Sequence, residues 1–276
     1  MMDQVGIKEK ETALTERIKT AGKLAVAFSG GVDSTYLLYK AHEVLGENCI
    51  AVTVRSQVIT KEEFDWTADF CKQIGVKQEV IGFDVFSVNE FADNLPDRCY
   101  YCKRKIFGAV LETAAKYGIT EVADGSNLDD DGDYRPGMRA IAELGIVSPL
   151  KEAGISKSDI RMLSKEAGLA TWDHPSAACL ASRFTYGEKI TESGLERVAA
   201  AERFIKDLGF EGIRVRVHGD LARIEAAPSD IELMTYDRAR KEISAELRRL
   251  GFKYVTIDMD GYRTGSMNEV LDISGS

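Results

Sequence analysis

Short runs of consecutive apolar residues alternate with longer amphipathic stretches over the first two-thirds of the chain. Leu24-Ala25-Val26-Ala27-Phe28 is apolar at every position, the pattern of a strand covered on both faces of a parallel sheet. The same reading gives strands at 49–54, 77–82, 120–124 and 146–148, and helices at 9–21, 34–45, 61–74, 102–117 and 157–167. Gly46 and Gly75 stand where two of these helices should end. Alternation at this spacing predicts βαβ units, a doubly wound parallel sheet of the α/β class and right-handed crossovers. Ligands of such sheets bind beyond the carboxyl ends of the strands.

Past residue 185 the pattern changes. A helix over 192–208 ends at Gly209 and is followed by Ile213-Arg214-Val215-Arg216-Val217-His218 and Leu221-Ala222-Arg223-Ile224-Glu225. Apolar and polar residues alternate in both segments, which marks half-exposed antiparallel strands around a Gly219-Asp220 turn. A helical stretch at 229–250 and a strand at 253–258 complete a smaller C-terminal α+β domain. The expected division is 1–185 and 186–276.

Directly after the first apolar run comes Ser29-Gly30-Gly31-Val32-Asp33-Ser34 and then a helix. The glycines let the backbone approach an anion, successive N–H groups form a nest, and the helix start adds its positive dipole end. Ser29 and Ser34 add hydroxyl donors. Asp33 is out of place beside a phosphate unless a cation such as Mg2+ bridges the two. The loop is therefore read as a pyrophosphate site with a metal, against the alternative of a tight strand-turn-helix junction. It lacks the lysine of the Gly-x-x-x-x-Gly-Lys-[Ser/Thr] loop, which argues against a kinase or GTPase.

Composition narrows the partners. The 276 residues carry 45 acidic and 36 basic side chains for a net charge of −9, with 44% hydrophobic and 29% charged residues. That is ordinary for a globular protein and argues against nonspecific binding to nucleic acid or anionic membranes. No apolar stretch reaches the ~18 residues of a membrane span, and Met1–Thr12 has no signal-peptide core, so a cytoplasmic location is expected.

Five cysteines, an odd number, do not make a disulfide framework. Cys49 opens an apolar run and Cys71 falls in a helical stretch, so both read as buried thiols. Cys99-Tyr100-Tyr101-Cys102 places two thiols three positions apart at a helix start, and Cys179 lies in the later string Pro175-Ser176-Ala177-Ala178-Cys179-Leu180-Ala181-Ser182-Arg183. Three readings stay open on these residues: unrelated thiols, a zinc site completed by His174, or a 4Fe-4S cluster with three protein ligands.

The Ser29–Ser34 loop in its context resembles the PP-loop of N-type ATP pyrophosphatases (a HUP-like fold), which cleave ATP to transfer AMP and release pyrophosphate. Further strings match one branch of that superfamily. They are Asp124-Gly125-Ser126-Asn127-Leu128-Asp129-Asp130, Asp133-Tyr134-Arg135-Pro136-Gly137, Ser148-Pro149-Leu150 with Lys157-x-x-x-Arg161, Ala178-Cys179-Leu180-Ala181-Ser182-Arg183-Phe184, and Gly261-Tyr262-Arg263-x-Gly265-Ser266-Met267-Asn268. Together they resemble the LarE family over nearly the whole chain. The resemblance implies sulfur insertion into pyridinium-3,5-biscarboxylic acid mononucleotide during nickel-pincer nucleotide biosynthesis. It also implies homo-oligomers, and sulfur from either a sacrificed cysteine or a cluster held by three cysteines. Cys99, Cys102 and Cys179 match the cluster type, with Cys179 alone as the sacrificial alternative.

By the same resemblance ATP is bound by Ser29, Gly30, Gly31, Val32, Asp33 and Ser34, with Mg2+ on Asp33, and by Val54, Ser56, Gly125 and Asn127 near adenine and ribose. Arg183, Arg214 and Arg216 are candidates for the substrate's phosphate and carboxylates, since guanidinium forks suit such groups; the competing reading of the last two is a solvated strand face. Glu202 and Glu225 read as solvated charges, with a second metal site as the alternative. Asp129, Asp130, Asp131 and Asp133 read as a cluster that caps and solubilises a loop, with approach of one member to Mg2+ as the alternative. His42 and His218 show no partner in sequence. The rival functions are a PP-loop tRNA thiolase, which would want a basic surface, and a non-catalytic nucleotide sensor.

Overall fold

The structure, a computed structural model, describes residues 2–130, 136–174, 178–263 and 265–268. In chain order the helices and strands are α1 (Met2–Ala21), β1 (Leu24–Ala27), α2 (Val32–Leu45), β2 (Cys49–Arg55), α3 (Lys61–Ile74), β3 (Lys77–Gly82), α4 (Asn89–Ala92), α5 (Arg98–Ala115), β4 (Val122–Ala123), α6 (Pro136–Glu143), α7 (Pro149–Glu152), α8 (Lys157–Glu166), α9 (Glu192–Asp207), β5 (Arg214–His218), β6 (Leu221–Glu225), α10 (Pro228–Thr235), α11 (Asp237–Arg249) and β7 (Tyr254–Ile257). They form two units, Met1–Asp84 with Cys99–Ala177, and Val85–Arg98 with Ala178–Ser276. No helix among the described residues is long and apolar enough to cross a membrane.

The first unit is built on a parallel sheet of order β3-β2-β1-β4. Alternate residues of β1 face opposite ways: Leu24 and Val26 join a core with Leu14, Ile18, Leu37, Phe70 and Ile160, whereas Ala25 packs with Phe107, Val110 and Ile141. Helices thus cover both faces, the doubly wound arrangement that the unbroken apolar strands require. The chain runs from β1 to β2 to β3 and then returns to the other side of β1 with β4. This reversal opens a crevice at the carboxyl ends of β1 and β4, where such sheets bind ligands. The expected strand at 146–148 is reduced to a single bridge, Ala123 with Val147. Helix α3 shows why its boundaries were readable: Thr60 and Glu63 form a reciprocal capping box, and Gly75 takes left-handed backbone, φ 77°, to end it.

The second unit pairs β5 with β6 antiparallel around Gly219-Asp220, as expected, and β6 with β7 in parallel. The helix expected at 229–250 is two helices, because Tyr236 adopts extended backbone (φ −64°, ψ 147°) between α10 and α11. Val85–Arg98 belongs to this unit through hydrogen bonds that a linear boundary does not describe. The Ile190 and Gly187 N–H groups donate to Ala92 O and Asn94 O at 2.9 and 3.0 Å, and Asn94 Nδ2 donates to Thr185 O at 2.7 Å.

Candidate functional site

The Ser29–Ser34 loop leaves β1 and enters α2 at the sheet's crevice. Gly30 has φ +82°, and a Cβ there would stand 3.0 Å from Thr67 Cγ2, so both conformation and space call for glycine. Gly31 is the extended residue before α2. The Ser29 and Ser34 hydroxyls lie 3.1 Å apart, and Thr35 Oγ1 donates to Gly31 O at 2.8 Å. From β4, Gly125 comes so close that a Cβ would stand 2.9 Å from the Ser34 backbone nitrogen. The two loops after the central strands therefore meet across the first turn of α2.

Around this junction the carboxylates are tied down. Asp124 is buried and accepts hydrogen bonds from Ser126 and Ser148 at 2.5 and 2.6 Å. Asn127 Oδ1 accepts the Asp129 N–H at 2.9 Å, and the Asn127 N–H donates to Asp130 Oδ2 at the same distance. Asp130 thus caps its loop, whereas the Asp129 carboxylate accepts the Lys157 N–H at 2.8 Å; Asp131 and Asp133 lie outside the described residues. At the end of β2 the half-buried Val54 leads to Ser56, whose Oγ is buried without a hydrogen-bond partner.

Asp33 is the singular member. Its Oδ2 accepts from Lys157 Nζ at 2.5 Å, and its Oδ1 is buried without a hydrogen-bond partner. Burial pushes its carboxyl above the ordinary range, against the charge and hydrogen bond of Lys157, which pull it down. A carboxylate with one buried, unused oxygen beside an anion nest fits a divalent cation. Lys157 itself carried no role in the sequence beyond its place in a matching string.

None of the five cysteines is in a disulfide. Cys49 and Cys71 are buried, and burial pushes both thiols up to about 12. Cys99 is exposed and Cys102 half-buried, both in the first turns of α5, which starts at Arg98 rather than 102. Cys179 is exposed and belongs to the second unit. Among the described residues no three His, Cys, Asp or Glu side chains gather as a metal site. His174, the expected zinc partner, sits edge-on to Trp66. His42 and His218 do have partners, Gly46 O and Thr185 Oγ1, each 3.2 Å from Nδ1.

In the second unit, guanidinium groups hold the turn that follows Cys179. Arg183 Nη1 donates to Ala178 O and Cys179 O at 2.6 and 3.2 Å, Arg216 Nη1 to Ser182 O at 3.0 Å, and Arg98 Nη2 to Ala181 O at 3.5 Å. Arg183 is fixed by a two-pronged bond to Glu202, both contacts at 2.9 Å. Arg216 is fixed to Glu225, which also accepts from Arg223 and Ser266. Arg183, Arg214 and Arg216 are 4–7% exposed and Glu225 is fully buried. The expectation of solvated glutamates is corrected here: Glu202 and Glu225 are the counter-charges that let buried arginines exist, since a buried ion is tolerated only when paired and hydrogen-bonded. The solvated-face reading of Arg214 and Arg216 falls with it. Arg214 stacks over Tyr262 at 5.4 Å, and burial, followed by the Arg183 charge, lowers its pKa from the ordinary value. Arg98, which no sequence signal singled out, is 5% exposed and lies 4.6 Å over the ring of Tyr186.

The model of the PP-loop domain matches residues 4–114. The chain is 38% identical over 265 residues to the pyridinium-3,5-bisthiocarboxylic acid mononucleotide synthase of Lactiplantibacillus plantarum, covering 95% of each chain. It is 40% identical over 246 residues to an uncharacterized protein of Synechocystis, covering 89% of this chain and 92% of the other. A tRNA-specific 2-thiouridylase of Geobacillus thermodenitrificans is 28% identical over 184 residues, covering 54% of this chain and 49% of the other. The loop between β1 and α2 and a likeness spanning almost the full length lead to one conclusion: the chain belongs to the LarE family of ATP-using, sulfur-transferring PP-loop enzymes.

Proposed function

We propose that the protein converts pyridinium-3,5-biscarboxylic acid mononucleotide to its bisthiocarboxylate at the expense of ATP. The observation that carries the reading is the nest at Ser29–Ser34, crossed by Gly125 and holding a carboxylate with an unused buried oxygen, in a chain that matches a synthase of that product over 95% of its length. Carboxylate is a poor acceptor for sulfur because oxide is a bad leaving group. Attack of a substrate carboxylate oxygen on the α-phosphorus breaks the bond to the β-phosphate and forms an acyl-adenylate. The nest N–H groups and the Ser29 and Ser34 hydroxyls take the departing pyrophosphate, and Val54, Ser56, Gly125 and Asn127 border the nucleoside. Asp33 would hold Mg2+, which when bound offsets the charge that develops on the phosphates. A sulfur nucleophile then adds to the activated carbonyl and expels AMP, leaving the thiocarboxylate.

Residues 1–185, with Arg183 beside Cys179, would carry the ATP chemistry, and 186–276 would hold the substrate's anions through Arg214 and Arg216. The sulfur route rests on Cys99, Cys102 and Cys179. Two thiols three positions apart on one helix start, both reachable from solvent, suit a 4Fe-4S cluster, which with three thiolate ligands keeps one iron open for an extra sulfide. Sacrifice of Cys179 alone is the second route, favoured by its exposure. The reading carries with it a homo-oligomeric, cytoplasmic enzyme supplied by a sulfide source or sulfur-donor protein. A tRNA acceptor is disfavoured by the net charge of −9.

Iron and acid-labile sulfide analysis of anaerobically purified protein tests the cluster. About four irons per chain, lost in Cys99→Ala, are expected. Absence of iron, with the elements of hydrogen sulfide missing from Cys179 after turnover, would move the reading to the sacrificial route.

A further inference from the structure

Of the guanidinium groups that donate to the turn after Cys179, two are answered by carboxylates: Arg183 by Glu202 and Arg216 by Glu225. Arg98 is not. Among the described residues no carboxylate pairs with it. Its one hydrogen bond, Nη2 to Ala181 O, is 3.5 Å long, and its Nε and Nη1 are buried without a partner. The ring of Tyr186 faces the guanidinium at 4.6 Å. An aromatic face offsets only part of the cost of a cation withdrawn from water. The second unit therefore holds a buried positive charge whose counter-ion the chain does not supply.

The chain fixes this arginine in place. The Arg98 N–H donates to Leu95 O at 3.0 Å, and the fully buried Asn94 takes left-handed backbone, φ 53°, just before it. Asparagine is among the few residues that accept that conformation. Asn94 Nδ2 donates to Thr185 O at 2.7 Å, while its Oδ1 is a second buried polar atom without a partner. The stretch Asn94–Arg98 thus keeps two unused donors and one unused acceptor out of water. It also stands between sulfur-bearing residues: Arg98 directly precedes Cys99 in sequence, and the carbonyl it reaches is two residues past Cys179.

We propose that Arg98 binds a small monovalent anion at the Cys179 turn, and that in the working enzyme this anion is hydrosulfide held ready for transfer. The inference deepens the sulfur-transfer reading proposed above and rests on it for the identity of the anion. A site closed to bulk water selects a small, weakly hydrated ion, and the guanidinium is itself the weakly hydrated cation that suits one. Hydrosulfide meets that description. Unlike a halide or a carboxylate, it also carries an S–H to donate as well as lone pairs to accept. Binding here is reversible: no bond forms, no electron moves, and the sulfur leaves the site as it entered.

The test compares full-length wild type with Arg98→Met and Arg98→Lys under anaerobic conditions, using bromide as a stable monoanion and its nuclear magnetic resonance line width as the readout. Wild type is expected to broaden the bromide line, and added sodium hydrosulfide to reverse the broadening. Arg98→Met should weaken bromide binding at least ~tenfold. Arg98→Lys keeps the charge without the planar fork and should fall between the two. Stability gives an independent reading. Bromide in place of gluconate at equal ionic strength should raise the wild-type melting temperature by roughly 5 °C at a hundredfold excess over its Kd and leave Arg98→Met unmoved. Without added anion, Arg98→Met should melt no lower than wild type, since the charge it removes had no counter-ion; a merely structural arginine would show the reverse. A wild type that does not broaden the line, or bromide binding unchanged in Arg98→Met, overturns the site. Bromide displaced by the dicarboxylate nucleotide and not by hydrosulfide overturns the assignment of the ligand. The bromide measurements involve neither ATP nor sulfur transfer. A wild type that binds both anions through Arg98 yet never thiolates the nucleotide therefore contradicts the functional reading and leaves the site standing.

Discussion

Glu225 is fully buried, and its carboxylate accepts from Arg216, Arg223 and Ser266 at 2.9, 3.0 and 2.8 Å. In Glu225→Ala the Arg216 guanidinium, 5% exposed, keeps the neutral acceptors Ser182 O and Ser266 Oγ in place of a carboxylate. Removing one member of a buried pair costs about 3–5 kcal/mol, because the remaining charge stays out of water. For a unit of this size 1 kcal/mol moves the melting temperature by roughly 2–8 °C. The second unit should therefore melt on the order of 10 °C lower or more, while the parallel-sheet unit, which holds none of these residues, keeps its transition. Differential scanning calorimetry resolves the two if they melt separately, and hydrogen exchange of β5 and β6 against β1 and β2 does so if they do not. Replacing the pair together, Arg216→Met with Glu225→Leu, should recover much of the loss, since matched apolar groups need no counter-charge. A Glu225→Ala protein within about 1 kcal/mol of wild type would refute the reasoning and mean that water reaches these guanidiniums.

Asp33→Asn removes a carboxyl whose folded pKa is raised by burial. A raised carboxyl makes the wild type lose stability as pH climbs from the unfolded value near ~3.9 through the folded one. The variant should then melt higher than wild type at pH 7 with the gap closing toward pH 3, and should not cleave ATP; thermal melts across that range check the sign. Gly125→Ala would drive a Cβ to 2.9 Å from the Ser34 nitrogen, so nucleotide binding by calorimetry should weaken at least tenfold with the fold kept by circular dichroism. Iodoacetamide at pH 8 should label Cys99 and Cys179 in metal-free folded protein and leave Cys49 and Cys71 untouched, as peptide mass mapping will show, since burial pushes the latter two thiols up to about 12.

The sheet, its crevice and the anion loop were legible because each has a local signature: unbroken apolar strands and glycines where the chain turns. Helix α6 was not, since Pro136–Glu143 spans only about two turns. The break at Tyr236 escaped because the residues on both sides suit a helix. Alternating arginines on β5 suggested a half-exposed face, yet Arg214, Val215, Arg216 and Val217 are all buried. Their burial depends on Glu202 and Glu225 from other elements, and no periodicity within the strand reports a partner contributed from elsewhere. The ion pair of Asp33 with Lys157 was hidden for the same reason.

The central claim is that ATP cleavage is coupled to sulfur insertion into a pyridinium dicarboxylate nucleotide. Its most direct test is to give the anaerobic protein that nucleotide with ATP, Mg2+ and sulfide, and to count AMP, pyrophosphate and thiocarboxylate together by mass spectrometry. Equal amounts of AMP and pyrophosphate, one of each for every thiocarboxylate formed, are expected. ATP left intact in the presence of the nucleotide, or sulfur recovered in added tRNA and absent from the nucleotide, would contradict the account.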